Sequence, residues 1–156
     1  MTPPNFLKIL NEKEKQEILK KLNRQFGIKE ISGIISMRGK ERLFLFQGNL
    51  TPEKIKQLER ARINLERLGV YFAKPVAEKI RLSIEGTHIF KNQITKNIFE
   101  LDDEQAELWM KGNELNISTG KNDFVVIKHN GNFLGCGKAS AEKITNFIPK
   151  NRRLKK

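Results

Sequence analysis

Residues 124–156 read FVVIKHNGNFLGCGKASAEKITNFIPKNRRLKK. Two apolar runs flank Asn130-Gly131, then glycines bracket the sole cysteine, and the stretch ends in cationic residues. Asn-Gly between two β-forming runs is the strongest short-range hairpin signal, because a tight two-residue turn needs positive φ at both central positions. The stretch therefore predicts a β-hairpin, and with it a β-rich C-terminal half. Gly135 and Gly137 sit at the end of the second strand, and two readings stand side by side. They form a bulge that bends the strand, or they keep the surface low where another backbone approaches.

Working back along the chain, short β-rich runs continue to Ile80: IRLSIEG (80–86), NIFELD (97–102) and ELNIS (114–118). ITNFI (144–148) reads as a closing strand, and KASAEK (138–143) as a turn of helix. Such spacing predicts a small barrel or sandwich. One helix interrupts it, DDEQAELWMKG (102–112), with acids in the first turn and Gly112 at its end. Asp102, Asp103 and Glu104 are explained by the helix dipole, with no general acid–base pair implied.

Before residue 75 the period is different. LNEKEKQEILKKLNRQFG (10–27) reads as a helix capped by Asn11 with Glu14 as its capping-box partner and stopped by Gly27. ISGIISMRG (31–39) and ERLFLFQG (41–48) form a hairpin through Gly39-Lys40. TPEKIKQLERARINLERLG (51–69) is a second helix begun by Thr51 and Pro52, and VYFAK (70–74) is a strand cut by Pro75. The expected fold class is α+β. Residues 1–75 form an N-terminal α+β domain, residues 79–150 a second unit, and residues 151–156 a basic tail.

Thirty Lys+Arg against 18 Asp+Glu give a net charge of +12 and an isoelectric point near 9.9. A field of this sign attracts polyanions, nucleic acid foremost. One cysteine makes neither an internal disulfide nor a cysteine-based zinc site, which points to the reducing cytoplasm. His88 and His129 have no partners at metal-ligand spacing, so no metal and no cofactor are expected. The start MTPPNFLKIL lacks the apolar core of a signal peptide, and no apolar run approaches the roughly 20 residues that span a bilayer.

The second half resembles a PUA domain, an RNA-binding module. The residues that carry the likeness are THIFKNQITKNIFELD (87–102), WMKGNEL (109–115) and DFVVIKHNGNFLGCGKAS (123–140). Gly112-Asn113-Glu114-Leu115 stands in the family's G-D-E-V place, with Asn113 for the usual Asp, and Gly135–Ala139 in its G-x-G-x-A place. IRLSIEGTHIF, FLGCGKA and NFIPKNRR together resemble an archaeal-type group related to the C-terminal RNA-binding region of NOL/NOP/Sun-type RNA cytosine-5 methyltransferases. The layout is also similar to that of a factor for large ribosomal subunit maturation. The resemblance implies a PUA-like pseudo-barrel of mixed strands with one or two short helices. It further implies a non-catalytic RNA-binding protein in rRNA or tRNA maturation. Partners would be rRNA or tRNA, with an RNA methyltransferase or a pre-ribosomal particle beside them. The alternative is an adaptor subunit for a methyltransferase.

The resemblance puts the RNA cleft beside the last glycines. Arg81, Lys91 and Lys96 lie around its first strand and loop. Gly135, Gly137 and Lys138 lie at its edge, and Lys143, Lys150, Arg152 and Arg153 extend the basic surface. Arg38, Lys40 and Arg42 are either a second RNA contact or a soluble turn. In the methyltransferases a cysteine is the nucleophile, but it sits in a cofactor-binding domain of which this sequence carries no glycine-rich signature. Cys136 is therefore expected to be a buried apolar residue, and Trp109 to be core.

Overall fold

In the computed structural model the described residues are 7–39, 42–47, 51, 53, 54, 57 and 69–155. Leu7–Ile9 forms β1, Glu12–Phe26 α1, Ile34–Arg38 β2, Arg42–Phe46 β3, Val70–Val76 β4 and Lys79–Leu82 β5. Then come α2 (Ile84–Ile89), β6 (Ile98–Glu100), α3 (Asp103–Met110), β7 (Phe124–His129), β8 (Asn132–Ala139), β9 (Ile144–Asn146) and a 3-10 turn at Lys150–Arg152. Two sheets result, a five-stranded one in the order β1-β2-β3-β4-β5 and a four-stranded one in the order β6-β7-β8-β9. The first is antiparallel throughout, and the second is mixed because β6 runs parallel to β7. The α+β class is the one expected.

Local chemistry explains the elements. Asn11 Oδ1 accepts from Glu14 N at 2.8 Å and Glu14 Oε1 accepts from Asn11 N at 3.1 Å, the reciprocal box that satisfies two free amides of α1. Gly27 ends α1 in the left-handed region. Asn130 and Gly131 both take positive φ, 47° and 79°, so β7 and β8 close through the turn the sequence prescribes.

Four expectations are corrected. IRLSIEG is not one strand: β5 ends at Leu82, and Ser83 caps α2 by accepting from Gly86 N at 3.0 Å. β4 is not cut at Pro75 but continues to Val76, with Pro75 opposite Ile80. ELNIS contributes only the bridge Leu115–Ile144. KASAEK is a turn in which Ser140 N donates to Lys143 O, not a helix. The second helix expected at 51–69 lies mostly outside the described residues, although Thr51 Oγ1 accepts from Lys54 N at 3.2 Å.

The largest core joins α1 (Leu22, Phe26), β4 and β5 (Phe72, Ile80) and β7 and β8 (Phe124, Val126, Phe133). The β4–β5 turn lies at the boundary position read from the sequence, but β5 stays in the first sheet with β4. A second core gathers Trp109, fully buried, with Val125, Ile127 and Ile144. At the outer edge of the first sheet, buried Gln25 of α1 donates to Ile80 O at 2.9 Å and accepts from Ile80 N at 2.7 Å. Those groups of an edge strand would otherwise lack partners.

Candidate nucleic-acid interface

A cleft of about 570 Å³ opens between the two sheets. One wall comes from β3, β4 and β5 with the start of α2, the other from the bend in β8 and from residues 147–152. Three arginines line it, Arg42, Arg81 and Arg152, with the rings of Tyr71 and Phe147 and the carboxylate of Glu85.

The backbone explains how these groups meet. β3 and β4 lie side by side with Phe44 opposite Tyr71, and Arg42 Cζ stands 5.5 Å from the Tyr71 ring centroid. Arg81 on β5 lies over Phe147, with Cζ 4.2 Å from the centroid. Phe147 is presented by the segment after β9, where Asn146 donates to Trp109 O at 2.7 Å and accepts from Ile148 N at 2.7 Å. Ser83 Oγ donates to Tyr71 O at 2.8 Å, which fixes the start of α2 on β4 and sets Glu85 at the cleft. Arg152 Nη1 donates to Glu85 Oε1. Both side chains of that ion pair are partly exposed, so it orients Arg152 more than it stabilises the fold.

Of the residues expected at the RNA surface, the cleft gathers Arg81, Gly135 and Arg152. Gly135 has φ of 105° and lies where the β7–β8 register shifts, which is the bulge of the first reading. Gly137 belongs to the second core instead. A Cβ there would come within 2.6 Å of Ile144 Cγ2 and 2.7 Å of Trp109 Cη2. Lys138 reaches over Phe124, Nζ 5.2 Å from the centroid. Lys143 pairs with Glu114 at 2.8 Å, and Lys150 is exposed on the 3-10 turn. Arg153 Nε donates to Ile148 O at 2.9 Å while its side chain lies against Gly112, so it fastens the C-terminal segment to the end of α3. Lys91 and Lys96 are exposed on a loop tied to the end of α1 through Thr95 N donating to Phe26 O at 2.8 Å. Of the hairpin-tip cations, Arg42 lines the cleft, Arg38 lies on β2, and Lys40 is outside the described residues.

Tyr71, Phe147 and Glu85 are site residues that the sequence did not single out. The signal for the first is thin: it is the one tyrosine of the chain, on a strand next to a cationic hairpin.

Cys136 reaches the cleft wall but is buried, and loss of solvation pushes its thiol from 9.0 up to about 12. It is protonated at neutral pH, the state of a packed side chain and not of a nucleophile. His88 Nε2 donates to Phe133 O at 2.9 Å, and His129 Nε2 meets Asp103 Oδ1 at 2.8 Å. Among the described residues no three His, Cys, Asp or Glu side chains stand together as metal ligands, and no helix is long and apolar enough to cross a membrane.

Residues 96–154 match the family model for the methyltransferase RsmF PUA domain. A ribosomal RNA small subunit methyltransferase F of Psychromonas ingrahamii is 27% identical over 151 residues, 93% of this chain and 30% of that protein. Proteins of the same name from Aeromonas salmonicida and Aeromonas hydrophila are 22% and 23% identical over 145 residues, 90% of this chain and 28% of theirs. The chain thus spans under a third of the length of these curated relatives. The resemblance seen in the sequence is borne out for residues 96–154, which match the PUA domain of these rRNA methyltransferases. These relatives are bacterial, so the archaeal attribution is without support. Their similarity runs through the N-terminal half as well, where the sequence offered no motif.

Proposed function

We propose that this chain is a non-catalytic RNA-binding module that acts in the modification of ribosomal RNA in the cytoplasm. In this reading the PUA-like pseudo-barrel and the sheet beside it together hold RNA of the small subunit. The observation that carries it is the cleft, where three arginines and two aromatic rings converge on a chain of net charge +12. Guanidinium groups fork onto phosphate and lie flat on bases, and rings stack on unpaired bases. The relatives' names supply the setting, since they act on small-subunit rRNA. The absence of a catalytic role is supported by the only thiol, which burial keeps protonated.

The test is the affinity for labelled small-subunit rRNA fragments between about 50 and 200 mM salt. Each neutralised phosphate releases counterions, so affinity is expected to fall steeply. Arg152→Ala should lower the slope of log affinity against log salt by about 1. An affinity that barely moves with salt overturns the reading. A second reading, an adaptor for an RNA-modifying methyltransferase, is favoured by the same relatives, in which the matched region is 30% of a methyltransferase. It expects a partner that co-purifies after nuclease treatment.

A further inference from the structure

We infer that the cleft takes a single nucleotide lifted out of the RNA stack, with its base against an arginine–aromatic pair and a neighbouring phosphate on the guanidinium that Glu85 now holds. This rests on the RNA-binding reading above and narrows it from a basic surface to a pocket.

Size is the first argument. At about 570 Å³ the cleft falls within the roughly 300–1,000 Å³ of pockets that enclose small ligands. That is room for about one nucleotide and not for the cross-section of a double helix.

The choice of cation is the second. Nine of the chain's 30 cationic residues are arginine, yet all three that line the cleft are. Attraction to a phosphate backbone is served equally by lysine. The planar, weakly hydrated guanidinium is required where a cation must also stack.

Preorganisation is the third. Arg42 is already over Tyr71 and Arg81 over Phe147, so each pair presents a flat surface whose rotamer freedom is spent before a ligand arrives. Arg152 is held by the Glu85 carboxylate, an anion in the place a phosphate would take. Exchanging one anion for another keeps the guanidinium paired, and the partly exposed Glu85 carboxylate is released to water. Gly135 lines the same cleft at the bend in β8, where its φ of 105° favours glycine.

The experiment uses the full chain, a fully paired RNA hairpin, and the same hairpin carrying one bulged 2-aminopurine. Anisotropy gives affinity and 2-aminopurine emission gives stacking. The bulged hairpin is expected to bind about tenfold tighter than the paired one, the worth of one base on an aromatic platform, and its emission to drop on binding. Arg81→Lys keeps the charge and removes the flat face. It is expected to abolish most of the tenfold preference for the bulged over the paired hairpin. Tyr71→Leu, in the other arginine–aromatic pair, provides a second variant if the first unfolds, as judged by thermal melting. Equal binding of the two hairpins, or a preference that survives both substitutions, overturns the nucleotide pocket and leaves RNA binding standing. No binding of either hairpin at low salt overturns the RNA-binding reading together with the pocket.

Discussion

Cys136 sits one residue from the cleft floor, in the position where a reader seeking a methyltransferase nucleophile would look first. Its surroundings answer the question. Burial strips water from the thiolate and raises the pKa from 9.0 to about 12, against smaller opposing effects from the Leu82 backbone and Arg81. At pH 8 the folded chain should carry about a thousandfold less thiolate than the unfolded chain. Alkylation by iodoacetamide is therefore expected to be very slow until denaturant is added, and rapid labelling of the native chain would contradict this. The sign for stability follows. The folded state keeps a proton that the unfolded chain releases, so this contribution is full below pH 9 and is lost as the pH rises toward 12. The sequence allowed this outcome because a lone cysteine on a strand is usually packing. It did not reveal that Gly137, two residues from Gly135, faces the opposite core. Alternation along a strand separates neighbours, but a bulge resets the alternation, and the bulge is visible only in the register with β7.

Strand β8 is where the two roles of its glycines separate by experiment. Gly137→Ala would press a methyl group into Ile144, Trp109 and the Thr145 carbonyl. It should cost about 1–3 kcal/mol, the penalty of overpacking a filled core, measured by denaturant unfolding. RNA affinity of the folded protein should be unchanged, and a selective loss of affinity at full stability would move Gly137 into the cleft. Elements were legible where chemistry is local. The capping box of α1, the acidic start of α3 and the Asn130-Gly131 turn each follow from neighbouring residues. Elements were misread where a neighbour decides. Ile84 and its surroundings carry β-forming residues, yet the segment turns helical because Ser83 caps it and ties it to the Tyr71 carbonyl on β4. Strand β1 is three residues long and exists through its pairing with β2.

At the scale of the whole molecule, a change of period near residue 75 suggested two units, and the packing bears on how they behave. Side chains of α1 and the first sheet share one core with β7 and β8. Separate melting would expose that shared surface, so a single cooperative transition is expected, with calorimetric and van't Hoff enthalpies equal. Two resolved transitions would show that the halves hold themselves up independently. Charge and fold class were readable from composition and pattern because they are sums over many residues. The cleft was not, because its arginines stand at positions 42, 81 and 152 and its rings at 71 and 147. Nothing in a linear sequence ties those five together. One last feature governs how copies of this molecule behave in company. Strand β5 ends its sheet, and Gln25 has already taken the amide and carbonyl of Ile80 that a foreign strand would seek. At Ile80, therefore, a second copy meets a border already sealed and cannot add a strand by pairing there.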